Sequence, residues 1–383
     1  MVSQKMCAIL MSAAAAASFS APHAHAFTIG NLVIAESQQP SNGAGGFTAG
    51  EADAVVLQEM STTGSTAGLQ STTLSGVKLP DSTDHDGQIT LSVDANVLTM
   101  GAYLDTAGVN SPTRSASAAV DPRVVVVVNP DGSANSSTQL TGANDYPAVS
   151  IRQVASIDGT QFYISGNQAG NGVGGLRYTT LGATTSTSLD AGGVFDSRTA
   201  AIFNNTLYVA TGSSHSPDGT GHVLYEVSNP ALPTVTGATF SDATITRQGE
   251  QGETFVAVGN TDYAYLDSGD LGGISKYVST DGGNTWNYLG FDAISGTPEA
   301  LTAQVNPDNS VSLFALTNTN IYSATDTSGT SGINGTLTSI LAAPAGTAFR
   351  GIAFAPSAVP EPASLSLLAL AGASLIMRRR AAR

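Results

Sequence analysis

The stretch "LFALTNTNIYSAT", Leu313 to Thr325, holds two short runs of strand-forming residues joined by a polar turn. Three other stretches line up with it. "FYISGN" (162–167) precedes "LRYTTL" (176–181), "LYVATG" (207–212) precedes "VLYEVS" (223–228), and "YAYLDSG" (263–269) precedes "ISKYVST" (274–280). The second member of each pair carries a tyrosine at a matching place. These are Tyr178, Tyr225, Tyr277 and Tyr322, spaced by 47, 52 and 45 residues. The periodicity is two rather than 3.6, so the units read as strands and not as helices. A strand–loop–strand unit recurring at this period predicts propeller blades, each a four-stranded antiparallel sheet.

Strands ahead of the first two pairs are visible in "VSIRQVASIDG" (149–159) and "TAAIFNNT" (199–206). Turn residues join first strands to second: Asp158-Gly159, Asn204-Asn205 and Asn306-Pro307-Asp308-Asn309. Upstream, "ANVLTMGAYLD" (95–105) with "PRVVVVVNPDGS" (122–133) makes a fifth unit, its valine run suited to a strand covered on both faces. "NLVIAES" (31–37) with "ADAVVLQEM" (52–60) makes a sixth, which lacks a first strand of its own. "RGIAFAPS" (350–357) is left over and supplies that strand, closing the ring and hiding sheet edges. The expected fold is thus all-β, a propeller of about six four-stranded blades closed by pairing of N- and C-terminal strands. Five or seven blades remain open, and a β-helix or β-sandwich is the structural alternative.

Charge narrows the function. The chain has 29 acids and 14 bases, and charged residues are 11% of it, against about a quarter in ordinary soluble proteins. Setting aside Lys5, Glu361 and the four tail arginines leaves 28 acids and 9 bases between Phe27 and Ala358, a net charge of −19. Such a surface repels nucleic acid and anionic lipid. The first 26 residues, "MVSQKMCAILMSAAAAASFSAPHAHA", have one lysine, an apolar alanine-rich middle and the small-x-small ending Ala24-His25-Ala26. They read as a secretory signal peptide cut before Phe27. Cys7, the only cysteine, lies in it, so residues 27–357, the body, have no disulfide framework.

The chain ends "VPEPASLSLLALAGASLIMRRRAAR", Val359 to Arg383. Ala363 to Met377 spans about 22 Å as a helix at ~1.5 Å per residue, short for a ~30 Å hydrocarbon core. With Arg378, Arg379 and Arg380 on the cytoplasmic side it can hold a membrane once the body is exported. The order Val359-Pro360-Glu361-Pro362, apolar helix, arginine cluster resembles the PEP-CTERM sorting signal of bacterial exported proteins. That resemblance implies recognition by an exosortase, a transient inner-membrane anchor in residues 358–383, removal of the tail, and delivery to the cell surface or its polysaccharide matrix. A permanent tail anchor is the alternative.

"STDGGNTW", Ser279 to Trp286, resembles the Asp box S-x-D-x-G-x-T-W of sialidases and other glycan-active propellers. Its residues also make a stable turn. Asp281 and Thr285 satisfy turn amides beside Ser279, Gly283 supplies a permissive backbone, and Trp286 packs between blades. A sialidase needs an arginine cluster, and none of the seven body arginines sits in an F/Y-R-I-P sequence; Phe349-Arg350-Gly351-Ile352 lacks the proline. Asp81, Asp84 and Asp86 precede Gly87 as in a calcium loop, but Ser82 and Val93 occupy the first and twelfth ligand positions. A weak Ca²⁺ site or, more simply, a solvated acidic turn is expected there, and otherwise no cofactor or metal. His85, His215 and His222 read as surface or loop residues without zinc spacing.

The sequence therefore predicts an exported, surface-sorted, non-enzymatic propeller, a cell-surface or extracellular-matrix interaction component. A glycan-binding module taking surface polysaccharide is the second reading, and a sialidase-like enzyme the third.

Overall fold

The computed structural model describes residues 26–39, 51–80, 85–105, 116–170, 172–190, 196–211, 224–228, 231–243, 250–268, 272–327, 329 and 331–357. Every regular element among them is a strand. The first seven are β1 (Leu32–Gln38), β2 (Asp53–Met60), β3 (Ser71–Leu79), β4 (Ile89–Leu91), β5 (Leu98–Leu104), β6 (Arg123–Val128) and β7 (Ala134–Leu140). Next come β8 (Ile151–Ser156) and β9 (Gln161–Gly166), the small ribbon β10 (Gln168–Gly170) and β11 (Val173–Gly174), then β12 (Arg177–Thr180) and β13 (Thr187–Ser188). A third group is β14 (Ala201–Phe203), β15 (Thr206–Ala210), β16 (Leu224–Ser228) and β17 (Thr239–Asp242). The fourth is β18 (Glu250–Val258), β19 (Thr261–Ser268), β20 (Gly273–Ser279) and β21 (Asn287–Ala293). The last strands are β22 (Pro298–Val305), β23 (Val311–Thr317), β24 (Asn320–Asp326), β25 (Thr338–Ala342) and β26 (Thr347–Phe354).

Four sheets have four antiparallel strands each: β8-β9-β12-β13, β14 to β17, β18 to β21, and β22 to β25. A further sheet runs β26-β1-β2-β3-β5-β6-β7, with β4 beside β5. Its halves are joined by only two residue pairs, Val77 with Leu104 and Lys78 with Tyr103. β26, the strand without a partner in the sequence, lies antiparallel to β1 from Leu32–Phe354 to Gln38–Thr347. The two ends of the body are thereby sewn into one sheet, and β1 gains a neighbour on each side. The arrangement is propeller-like.

Local chemistry explains the hairpins. The β14–β15 turn has Asn204 and Asn205 both at positive φ, 47° and 62°, as a two-residue type I′ turn requires. The core is layered between neighbouring sheets. One layer packs Leu32 and Ile34 with Phe314, Leu316, Phe349 and Ile352; another packs Tyr208 and Leu224 with Leu266, Tyr277 and Trp286.

The innermost strands touch in a closed order, β4 to β8, β14, β18, β22, β26 and back to β4. Gly351 permits the last approach, since a Cβ there would sit 2.5 Å from the Ile89 nitrogen and 2.7 Å from the Gly87 oxygen.

Candidate functional site

These strands surround a cavity of about 190 Å³. Each contributes to its wall, with Thr90, Gln153, Ala201, Glu253, Thr302 and Ile352 as examples. Phe203, Phe255 and Phe354 add aromatic surface. Glu253 is the charged residue among the lining, and it is only 4% exposed. Neither of its carboxyl oxygens has a hydrogen-bond partner of ordinary geometry among the described residues. Thr199 is its polar neighbour; that hydroxyl accepts the Ala210 amide at 3.2 Å and keeps its own proton to donate. Burial pushes the Glu253 carboxyl up to about 8, with Thr199 pulling weakly the other way. At neutral pH it is mostly a carboxylic acid, able to donate one hydrogen bond and accept others. Gln153 opposite is held in place, its Oε1 accepting the Ala200 amide at 2.9 Å.

Beside the cavity, the segments entering the inner strands carry a buried polar cluster. The Asp86 carboxylate accepts the Tyr103 hydroxyl at 2.9 Å. Burial pushes it up to about 6 against the pull of Arg152 and Arg350. Arg152 Nη1 reaches Asp196 at 2.9 Å and the Ser197 carbonyl at 3.0 Å. Arg350 Nε donates to Ser37 Oγ at 3.1 Å. His85, at a left-handed φ of 64°, contacts Glu299 through Nδ1 at 2.5 Å, and Gln88 donates to the Glu299 carbonyl at 2.9 Å. Every group in the cluster is engaged with another, so it ties neighbouring inner strands together.

One sequence expectation is corrected at this point. Asp86 is not part of a solvated acidic turn: it is buried on Tyr103 because its segment leads straight into β4. His85, expected as a surface or loop residue, stands in the loop that leads into β4, half-buried against Glu299. Asp81, Asp84, His215 and His222 lie outside the described residues, and among the described residues no group of three His, Cys, Asp or Glu is placed to hold a metal ion. Sequence reasoning missed Glu253 altogether. Its signal is an acid inside the strand "EQGETFVAV" that precedes a tyrosine-bearing pair.

In the turn from Ser279 to Trp286, the Ser279 hydroxyl donates to Asp281 Oδ1 at 2.7 Å, and Oδ1 accepts the Thr285 amide at 3.0 Å. The Gly283 amide donates to Ser279 Oγ at 2.9 Å. Gly283 has φ +92°, and a Cβ there would meet the Tyr208 hydroxyl at 2.5 Å. Trp286 is buried against Phe255 and Tyr208, at centroid distances of 5.6 and 6.3 Å. The turn thus abuts the cavity wall from outside and does not enter the cavity.

Residues 358–380 match the PEP-CTERM protein-sorting motif. Val359, Pro360, Glu361, Pro362 and Arg378 to Arg380 fall within it. The fold and the tail define a class: an all-β, propeller-like body carrying a bacterial sorting signal. The motif marks the chain for export and surface sorting and implies processing by an exosortase. The proposed signal peptide with Ala24 and the apolar run Ala363–Met377 lie outside the described residues. Among the described residues no helix is long and apolar enough to cross a membrane.

No curated protein matches the chain. Among solved structures it is similar to a chain of a nidogen/laminin complex at 9% identity and TM-score 0.50, over 86% of this chain and 99% of that one. A putative 6-phosphogluconolactonase from Bacteroides uniformis matches at 13% identity and TM-score 0.45, over 85% of this chain and 99% of that one. A gluconolactonase from Xanthomonas campestris matches at 11% and 0.42, over 83% and 88%. The likeness to the nidogen/laminin chain shows the fold. The matches also correct the expectation of a body without enzymatic activity, because enzymes of the lactonase kind stand among the propellers it resembles and the fold itself excludes no chemistry.

Proposed function

We propose that this chain is a six-bladed propeller, sorted to the cell surface, that binds one uncharged sugar ring at the end of a surface polysaccharide in its axial cavity. The observation that carries the reading is Glu253, a buried carboxyl whose oxygens have no hydrogen bond of ordinary geometry among the described residues and whose polar neighbour is Thr199, facing a cavity about 190 Å³ in size. An unsatisfied buried polar group costs about 1–3 kcal/mol, a cost that a ligand's hydroxyl can relieve. A cavity of ~150 Å³ accepts benzene, so this one suits a single ring. Phe203, Phe255 and Phe354 offer it apolar faces, while Gln153, Thr90 and Thr302 offer hydrogen bonds. The body's charge of −19 argues against an anionic ligand.

The six-blade count reads the eight-stranded sheet as two blades, β26-β1-β2-β3 and β4 to β7, joined at their outer edge. The body would run from Phe27 to Ser357 after signal cleavage. Both residues are tied down, the Phe27 amide to the Pro130 carbonyl and the Ser357 amide to the Ala95 carbonyl, each at 2.7 Å.

Calorimetric titration with neutral mono- and oligosaccharides and with the host's surface polysaccharide tests the site. Binding is expected at pH 6 and should weaken at least about tenfold by pH 9, as Glu253 ionises. Glu253→Gln should bind at both pH values and Glu253→Leu at neither. Absence of binding by every neutral sugar at pH 6, or binding indifferent to Glu253→Leu, overturns the reading.

A further inference from the structure

The body contains two lysines, Lys78 and Lys276, and the second is wholly buried in β20. It pairs with Tyr265 on one side and Gly290 on the other, so the three form one row across the sheet. Gly290 leaves that row bare: a Cβ there would lie 2.8 Å from the Gly332 Cα. The chain following β24 can therefore press against the sheet and bring Asp326 over Lys276. Nζ and Oδ2 are 2.7 Å apart, and both side chains are 0% exposed.

Further groups converge on this contact. The Tyr265 hydroxyl donates to Asp326 Oδ2, Nζ also donates to the Gly329 carbonyl at 3.0 Å, and the Tyr263 ring lies 5.0 Å from Nζ. Asp292 pairs with Ile274, two residues from Lys276 and hence on the same face. Its Oδ2 has no hydrogen-bond partner among the described residues. Burial and then the charge of Asp326 raise the Asp292 carboxyl from its ordinary range, which makes it a better proton acceptor beside the pair.

We propose that Lys276 and Asp326 join in an intramolecular isopeptide bond that clamps the sheet β18–β21 to the sheet β22–β25. Away from water an ion pair loses its hydration, and proton transfer from Nζ toward the carboxylate leaves a nucleophilic amine against Cγ. Nζ adds to Cγ, and the Tyr265 hydroxyl stabilises the charge that develops on Oδ2. The Cγ–Oδ1 bond then breaks. Two of the three ammonium protons leave with Oδ1 as one water, relayed by Asp292, and the third stays on the amide nitrogen. Nothing is oxidised or reduced, and no co-reactant is needed. The bond would give a body without cysteine a covalent brace between sheets.

The intact mass of the purified, denatured protein should lie about 18 Da, one water, below the mass of its sequence. Digestion with a glutamate-specific protease, cutting after Glu253 and Glu299, should release the segments holding Lys276 and Asp326 as one branched peptide. Lys276→Arg and Asp326→Ala should each restore the full sequence mass. Asp292→Asn should show the full mass or a slow loss. A wild-type chain at full sequence mass, with the two segments separate after digestion, overturns the proposal whether or not any variant folds. A complete loss of water in Asp292→Asn overturns the relay given to Asp292.

Discussion

Glu253 and Asp326 are both buried carboxyl groups on strands of adjacent sheets, and their surroundings differ. Asp326 receives Lys276, the Tyr265 hydroxyl and a long contact of 3.4 Å from the Asn334 amide. Glu253 receives no hydrogen bond of ordinary geometry from the described residues and faces an open volume. Buried polar groups in native proteins are overwhelmingly satisfied, so the two cases separate structure from function. Asp326 holds the fold together. Glu253 weakens it, and a site that weakens the fold points to something outside the protein that completes it.

The largest expected effect removes both regions together. β26 lines the cavity and pairs with β1, so a chain ending at Ala348 should lose the cooperative thermal transition of the body, whereas one ending at Ala358 should keep it. If the shorter chain melts like the longer one, the ring is not closed by its ends and the axial cavity loses its meaning.

Trp286 belongs to the Glu253 side, on the turn between β20 and β21 and against Phe255 of the cavity wall. Trp286→Ala should cost ~3–5 kcal/mol, seen as a lower midpoint in denaturant. An unchanged midpoint with altered sugar binding would move the turn from scaffold to site.

Opposite in sign is Glu253→Gln. The folded carboxyl titrates near 8, while in the unfolded chain it titrates at its ordinary value of about 4.3. Between those values the native state keeps a proton that the unfolded state has lost. Stability therefore falls as pH rises through that window and levels off above it. Asp86 and Asp121, each pushed up to about 6 by burial, add slope in the same direction, so the difference between wild type and variant isolates Glu253. Glu253→Gln should be more stable than wild type at pH 8, by about 1.4 kcal/mol for each pH unit of that window, with the gap closing near pH 4.5. A variant less stable than wild type at pH 8 would put Glu253 with Asp326, as a structural group.

Much of this architecture could be read from residues. The tyrosine-bearing pairs fall on β9 and β12, β15 and β16, β19 and β20, and β23 and β24, because middle strands are covered on both faces and must be apolar and β-branched. Positive φ at Asn204 and Asn205 matches the turn that those residues announce. The strand "RGIAFAPS" was legible because an apolar run with no neighbour needs one. Edge strands were not. β7, "ANSSTQL", and β13, Thr187–Ser188, face solvent, so nothing in their polarity separates them from loops. β4 has three residues inside an acidic stretch, too short for any period to show. The candidate site was hidden for a related reason: alternation tells which residues share a face of a strand, not which face looks down the axis. Glu253 needed the ring to be closed before its position meant anything.

The claim that Glu253 is a neutral acid waiting for a ligand can be measured directly. The side-chain carboxyl carbon of Glu253, labelled with ¹³C and assigned by its loss in Glu253→Gln, can be followed by NMR from pH 4 to pH 10. One transition with a midpoint near 8 is expected, shifting upward when a bound neutral sugar accepts the proton's hydrogen bond. A midpoint in the ordinary carboxylate range, about 4 to 5, would show a solvated or partnered group and contradict it.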